Sequence, residues 1–97
     1  MLRLTWDESK RLANLAKHGL DFADARWVLD SAFRLDVEVI RGGEQRMQSF
    51  AYVFDVLAVL TVVHAQRDGS VRVISFRTAS GDEREVYHEW LESDEDQ

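Results

Sequence analysis

Four arginines on or beside the predicted strands are the side chains best suited to chemistry: Arg46, Arg67, Arg72 and Arg77. An arginine guanidinium donates N–H groups in a planar fork that matches two oxygens of one phosphate. Arginines that converge would bind a phosphate group and stabilise negative charge developing on it. The alternative for each is a solvated side chain or a salt bridge to Asp36, Glu38 or Asp82.

The three histidines offer proton transfer but no metal centre. His18 follows Lys17 and could bind a phosphate or transfer a proton, or it could simply complement the negative end of a helix. His64 ends an apolar run, which favours a hydrogen-bonded position at the edge of the core, and His88 is expected in solvent. Their spacing is not that of a metal site, so we expect neither a metal nor a cofactor.

The strand that carries two of the arginines limits which of them can meet. Side chains alternate between the two faces of a strand. A strand over residues 71–77 therefore puts Ser75 and Arg77 on one face and Arg72 on the other. The three tryptophans could stack on bases, but their positions near apolar stripes favour core packing. They are Trp6, Trp27 and Trp90.

The N-terminal quarter predicts two short helices. Asp7 is a good N-cap and Gly19 a good terminator for a helix over residues 7–18. The apolar stripe of this helix consists of Leu12, Leu15 and Ala16. Asp21 can cap a second helix over residues 22–29. Because the link is short, the two helices should pack as a pair.

Strands and tight turns dominate the rest of the chain. Alternating or continuous apolar residues predict strands at 2–5, 33–41, 46–54, 56–64 and 71–77. Glycine-bearing turns at 41–44 and 67–70 join them as hairpins, and the apolar 56–64 segment should be central. The strand at 33–41 should bury one face, which begins with Phe33.

A capping box formed by Ser80 and Glu83 predicts a final helix that closes over the sheet. Its inward line is Glu83, Tyr87 and Leu91, with Val86 and Trp90 beside it. The predicted order is β-α-α-β-β-β-β-α. This is an α+β domain with an antiparallel sheet, two N-terminal helices and a C-terminal helix.

Composition predicts one small cytoplasmic domain with a charged end. The chain has 97 residues, 45% of them hydrophobic, and no cysteine. We expect a single domain over residues 1–91 and a frayed acidic tail over 92–97. The net charge of −6 is concentrated in residues 81–97, which hold eight acidic and one basic side chain. The N-terminus lacks the apolar region of a secretory signal, and the longest apolar run, residues 56–63, is too short for a membrane helix.

Several blocks of the sequence resemble the BrnT family of bacterial toxins. The first half contributes Trp6-Asp7, Lys10, Asn14, Lys17-His18-Gly19, Phe22 and Arg46. The second half contributes Arg72-Val73-Ile74-Ser75, Arg77, Ala79, Glu83 and Tyr87. Together these blocks cover about nine-tenths of the chain, and they are more specific than any single motif.

The resemblance implies a RelE-like fold and a metal-independent endoribonuclease that cleaves RNA and arrests translation. It implies catalytic roles for Arg46, Arg67, Arg77, His18 and Tyr87. Lys10, Lys17 and Arg72 would bind RNA. The implied partner is a BrnA-like ribbon-helix-helix antitoxin in a 2:2 complex, which covers the active face. Operator DNA would be bound only through that antitoxin, and no membrane is involved.

A second hypothesis is a catalytically inactive module that binds the antitoxin and tunes promoter repression. Where the family often carries Lys or Arg near the last helix, this chain has Thr78, Gly81 and Asp82. RNA affinity depends on neutralising phosphates, so the loss of these cations favours the inactive module.

Overall fold

A computed structural model describes residues 2–95, which form a five-stranded sheet with helices on both faces. The strands are β1 (Leu4–Thr5), β2 (Leu35–Arg41), β3 (Glu44–Val53), β4 (Ala58–Arg67) and β5 (Ser70–Thr78). The helices are α1 (Glu8–His18), a 3-10 helix (Phe22–Ala25), α2 (Arg26–Leu29) and α3 (Gly81–Glu95).

The sheet order is β1-β5-β4-β3-β2, and β2 to β5 form the predicted antiparallel meander. The α+β class is therefore confirmed. The prediction of a purely antiparallel sheet is wrong, because β1 lies parallel to β5. From β1 the chain continues through the helices and through β2, β3 and β4 before β5 pairs with β1.

Both ends of α1 have the predicted caps. Asp7 Oδ1 accepts from the amides of Ser9 at 2.9 Å and Lys10 at 3.2 Å. Gly19 ends the helix in the left-handed region with φ of 71°, and its amide donates to the carbonyl of Leu15 at 2.8 Å. These local bonds explain why the bounds of α1 could be predicted from the sequence.

The predicted apolar stripe of α1 does not pack into the core. Leu12 is 52% exposed and Leu15 is 37% exposed, whereas Asn14 is buried. The Asn14 amide donates to the Phe76 carbonyl at 2.7 Å, and its carbonyl accepts from the Phe76 amide at 3.2 Å. Beyond the end of β1, the side chain of Asn14 thus makes the hydrogen bonds to the β5 backbone that a neighbouring strand would make.

The second predicted helix forms as a 3-10 turn followed by α2. Asp21 caps it by accepting from the Ala23 amide at 2.9 Å. Phe22, Val28 and Leu29 are buried against the sheet. The short helices therefore cover one face of the sheet and anchor the main core.

The two glycine-bearing turns and the central position of β4 are as predicted, but β4 begins at Ala58 and ends at Arg67, so the predicted bounds of 56–64 are wrong. Gly42 and Gly43 have φ of 56° and 77°, which glycine adopts without strain. β4 is the middle strand, and Val59 to Val62 are buried on both faces. The prediction for β2 is only partly correct, because this edge strand is poorly covered. Phe33 precedes it and is 61% exposed.

The last helix begins with the predicted capping box. The Ser80 amide donates to Glu83 Oε1 at 2.8 Å, and the Glu83 amide donates to Ser80 Oγ at 3.3 Å. Tyr87 is buried, whereas Val86 is 51% exposed and does not close over the sheet. The helix continues to Glu95, and residues 96 and 97 lie outside the described residues, so the frayed tail over 92–97 stays a prediction.

Two hydrophobic clusters lie on opposite faces of the sheet. The larger joins the short helices to Ala51, Val53, Leu60, Val62, Val71, Val73 and Phe76. The smaller packs α3 against Phe50 and Val59. Because α3 covers only one end of its face, the rest of that face stays open, and we call it the open face.

Candidate functional site

Three arginines line one cavity of about 360 Å³ on the open face. Arg41 comes from the end of β2, Arg46 from β3 and Arg77 from β5. The other lining residues are Val39, Gln48, Val63, Ile74, Ser75 and Glu83. We call this the arginine cavity; two of the predicted phosphate-binding arginines, Arg46 and Arg77, meet there, and Arg67 does not line it.

Arg77 is held in place by Glu83. Its Nη1 and Nη2 atoms donate to the two carboxylate oxygens at 2.7 Å and 2.9 Å. Glu83 also accepts from Gln48 Nε2 at 2.9 Å and, through the capping box, from the Ser80 amide. The fork of Arg77 is therefore oriented by a carboxylate that is itself fixed by the start of α3.

The same contacts set the protonation of this pair. Hydrogen bonding from Arg77 lowers the pKa of Glu83 to about 2. The bond to Glu83 in turn raises the pKa of Arg77. Both groups are charged at neutral pH. The other edge of the guanidinium, Nε–H and one Nη2–H, makes no hydrogen bond to the described residues and can meet a phosphate.

Glu44 connects Arg46 of the arginine cavity to Arg67. It accepts from Arg46 Nε at 3.1 Å and from Arg67 Nη2 at 3.0 Å. These bonds, that from Arg46 foremost, lower the pKa of Glu44. The predicted alternative of salt bridges to Asp36, Glu38 or Asp82 is wrong in its partners, because Glu44 and Glu83 are the carboxylates that pair with these arginines.

A β-bulge changes the face on which Arg72 lies. Val63 of β4 pairs with Ser75, but the next residue of β4 pairs with Val73, which leaves Ile74 as an extra residue in β5. The bulge brings Arg72 to the face of Ser75 and Arg77. The prediction that Arg72 points to the opposite face is therefore wrong, although Arg72 does not line the arginine cavity.

Lys10, Lys17 and His18 lie together in a second, smaller groove of about 260 Å³ along α1. Ile74 lines both this groove and the arginine cavity. The basic residues predicted from the N-terminal blocks are thus neighbours of the arginine site, separated from it by the β5 bulge. His18 does not line the arginine cavity.

Tyr87 is placed away from both basic sites. Its side chain is 1% exposed, and its hydroxyl donates to the Phe33 carbonyl at 2.7 Å. The same oxygen accepts from the Tyr52 amide at 3.3 Å. These bonds tie α3 to the sheet, which is a structural role.

A polar chain that the sequence did not predict lies on the other face of the sheet. Buried Ser49 bonds Asp36 Oδ1 at 2.5 Å and His64 Nε2 at 2.8 Å. His64 is half-buried, as predicted for a core-edge histidine, and burial is the main cause that lowers its pKa. This chain borders a cavity of about 550 Å³ and faces away from the arginine cavity.

Arg41 is the cavity residue that sequence reasoning missed. The signal was present, because a two-residue turn at Gly42-Gly43 pairs Arg41 with Glu44 and Val39 with Arg46. Side chains at diagonal positions of a hairpin share a face and lie within reach of one another. The turn alone therefore predicts that Arg41 and Arg46 are neighbours.

A larger groove of about 620 Å³ runs between α2 and α3 and includes Arg26, Trp27 and Phe54. Trp27 is 36% exposed there, whereas Trp6 and Trp90 pack against the core clusters as predicted. Among residues 2–95, no group of three potential metal ligands occurs. None of the described helices has the length and apolar character of a membrane span.

The fold and the site define a small α+β protein whose sheet presents arginines suited to phosphate. Residues 6–83 match the family model described as the ribonuclease toxin, BrnT, of type II toxin–antitoxin systems. The match spans most of the chain, so the chain belongs to the BrnT family, and the resemblance is confirmed. A type II toxin implies a cognate antitoxin. A comparison with curated proteins finds no match.

Proposed function

We propose that this BrnT toxin is a metal-independent, RelE-like endoribonuclease whose cleavage of RNA arrests translation. The observation that carries the proposal is the arginine cavity, where Arg46 and Arg77 are held in fixed orientations by carboxylates. Fixed cationic donors stabilise a charged transition state without reorganising during the reaction.

The reaction is an attack of the ribose 2′-oxygen on the adjacent phosphorus. The bond from phosphorus to the 5′-oxygen breaks, which leaves a 2′,3′-cyclic phosphate and a 5′-hydroxyl. The free edge of Arg77 and the Nη groups of Arg46 would neutralise the phosphorane oxygens. Arg67 would support Arg46 through Glu44.

Two proton transfers complete the reaction. The 2′-hydroxyl loses its proton to a base, and the 5′-oxygen gains one from an acid. Glu83 is the carboxylate in the cavity, and an arriving phosphate would raise its low pKa by adding negative charge nearby. RNA would lie across Ile74, and His18 would transfer a proton to or from it from the α1 groove. In the same groove, Lys10 and Lys17 would bind the flanking phosphates.

The partner would be a BrnA-like ribbon-helix-helix antitoxin in a 2:2 complex in the cytoplasm. It would cover the open face and give the complex its affinity for operator DNA. Tyr87 is not included in the proposed catalytic set, because its hydroxyl is bonded to backbone groups. Arg72 would add a phosphate contact at the edge of the open face.

Cleavage of a defined RNA by the purified protein in EDTA tests the proposal. We expect cyclic phosphate ends from the parent protein and their loss in an Arg46→Ala/Arg77→Ala double variant. Arg26→Ala is the matched control, because Arg26 lies in the groove beside α2. Cleavage by the double variant at the parent rate would overturn the assignment.

Two observations favour the second candidate, an inactive module that binds the antitoxin. Glu44 and Glu83 neutralise charge on the open face, and no histidine lines the arginine cavity among the described residues. Expression of the toxin without antitoxin separates the two. Growth arrest that the double variant loses supports the ribonuclease, and unimpaired growth with folded toxin supports the module.

A further inference from the structure

The positive charge of the arginine cavity is not spread evenly over its three arginines. Arg77 is paired with Glu83 at 2.7 Å, and Arg46 is paired with Glu44 at 3.1 Å. Both carboxylates have lowered pKa values and stay ionised at neutral pH. Glu83 therefore largely cancels the charge of Arg77, whereas the single negative charge of Glu44 is shared between Arg46 and Arg67.

Arg41 is the exception. It forms no ion pair with any carboxylate whose side chain the structure describes. Glu44 stands opposite Arg41 in the hairpin register, but its two oxygens are bonded to Arg46 and Arg67 instead. Arg41 is an exposed residue at the end of β2 and it lines the cavity, so it is open to solvent before a substrate binds.

We propose that Arg41 is the residue that captures the RNA backbone in this cavity, by binding a phosphodiester next to the one held by Arg46 and Arg77. This inference rests on the proposed ribonuclease function. An unpaired guanidinium gains a full charge-assisted bond from a phosphate without first giving up a carboxylate. The paired arginines hold the reacting phosphate in a defined orientation, and Arg41 adds a guanidinium charge that no carboxylate offsets and that attracts the strand.

The different roles of Arg41 and of the two paired arginines predict different effects on KM and kcat. Removal of a capture residue weakens binding of substrate and transition state alike, so KM rises while kcat is preserved. Removal of Arg46 or Arg77 lowers kcat. The two kinds of arginine are thus distinguishable although they line one cavity.

Binding of a fluorescein-labelled, fully 2′-O-methylated RNA to the full chain gives the direct test. Fluorescence anisotropy would be measured for parent, Arg41→Ala, Arg41→Lys and Arg26→Ala at several NaCl concentrations. Loss of one phosphate contact reduces the slope of log K against log salt by about 0.7 for a single strand. We expect that reduction in Arg41→Ala and about five-fold weaker binding at low salt, with Arg41→Lys and Arg26→Ala near the parent.

Each outcome has a distinct meaning. If the parent binds this RNA and Arg41→Ala keeps its affinity and salt slope, the capture role is wrong and the proposed function stands. If Arg26→Ala loses as much as Arg41→Ala, the effect is one of total charge and the inference fails. If the parent neither binds nor cleaves RNA, the proposed function itself fails. Circular dichroism of each variant excludes misfolding as the cause.

Discussion

The two faces of the sheet each carry a polar cluster, and the clusters differ in what their side chains can still bind. On the helix-covered face, Asp36, Ser49 and His64 are residue types that catalyse reactions in many enzymes. Here Ser49 is fully buried, and its hydroxyl is bonded to both neighbours. On the open face, arginines keep donors that point to solvent. Residue type alone therefore does not locate a site, and the count of unoccupied donors does.

The largest expected difference between the faces is in catalysis. Arg77→Lys keeps a positive charge beside Glu83 but loses the planar fork, so we expect kcat for RNA cleavage to fall about 100-fold. His64→Gln on the opposite face should change kcat less than about two-fold. Initial rates on one RNA substrate compare the two variants. A loss of activity in His64→Gln with Arg77→Lys near the parent would reverse the assignment of the faces.

The next effect concerns stability at the edge of β5. Asn14→Ala leaves the buried amide and carbonyl of Phe76 without partners. We expect the free energy of unfolding to fall by about 2 kcal/mol or more, since each unpaired buried group costs about 1–3 kcal/mol. Urea denaturation measures it.

Leu12→Ala is the matched control on the same helix. Leu12 is 52% exposed, so its truncation should cost less than about 0.5 kcal/mol. Equal losses in the two variants would show that the apolar stripe, not Asn14, holds α1 to the sheet.

The case of α1 shows which parts of the fold the sequence predicts. Caps and turns depend on a few neighbouring residues, so Asp7, Gly19 and the Ser80–Glu83 box were predicted correctly. The bonds of Asn14 to Phe76 join positions 62 residues apart, and no local pattern carries them. The parallel pairing of β1 rests on two residues and is equally invisible.

The site was predictable in residue types but not in geometry. Arginines were correctly expected to converge, and Arg46 and Arg77 do. The bulge at Ile74 breaks the period of two and reverses the prediction for Arg72. Glu44 and Glu83 were missed as partners because pairing depends on how the twisted strands bring side chains together. Tyr87 matched the family motif and also lay on the predicted inward line of α3, and its burial agrees with that line.

A smaller effect tests how firmly the open face is fixed. Glu83→Gln keeps both bonds of the capping box but removes the charge opposite Arg77. We expect a loss of about 1 kcal/mol in stability at pH 7, and tighter RNA binding because Arg77 becomes free. The stability that ionised Glu83 gives the parent protein is fully present above pH 4.5, the ordinary pKa of glutamate. It is lost as the pH falls through about 2, the pKa of Glu83 in the folded protein.

Chemical denaturation between pH 7 and pH 2 measures the difference in the free energy of unfolding between the parent and Glu83→Gln. Glu85→Gln, on the exposed side of α3, is the control. A difference between parent and Glu83→Gln that stays constant over the whole range would mean that the ion pair does not stabilise the fold. Weaker RNA binding by Glu83→Gln would mean that the carboxylate positions Arg77 more than it competes with phosphate.

The smallest effect belongs to the covered face and depends on His64. Because Ser49 donates to Asp36, the Nε2 atom of His64 must carry a proton and donate to Ser49. Burial lowers the pKa of this imidazole and so does Arg34, whereas Asp36 opposes the shift. The unfolded chain therefore binds a proton at a higher pH than the folded protein does.

It follows that His64 makes the protein less stable as the pH falls below 6.5, the ordinary pKa of histidine. We expect this contribution to stay below about 1 kcal/mol, because the group is only partly buried. His64→Gln should flatten the stability profile between pH 7 and pH 5. His88→Gln, which alters an exposed histidine on α3, should leave the profile unchanged. An unaltered slope in His64→Gln would mean that the covered cluster titrates as if it were in solvent, and the contrast between the faces would then rest on the arginines alone.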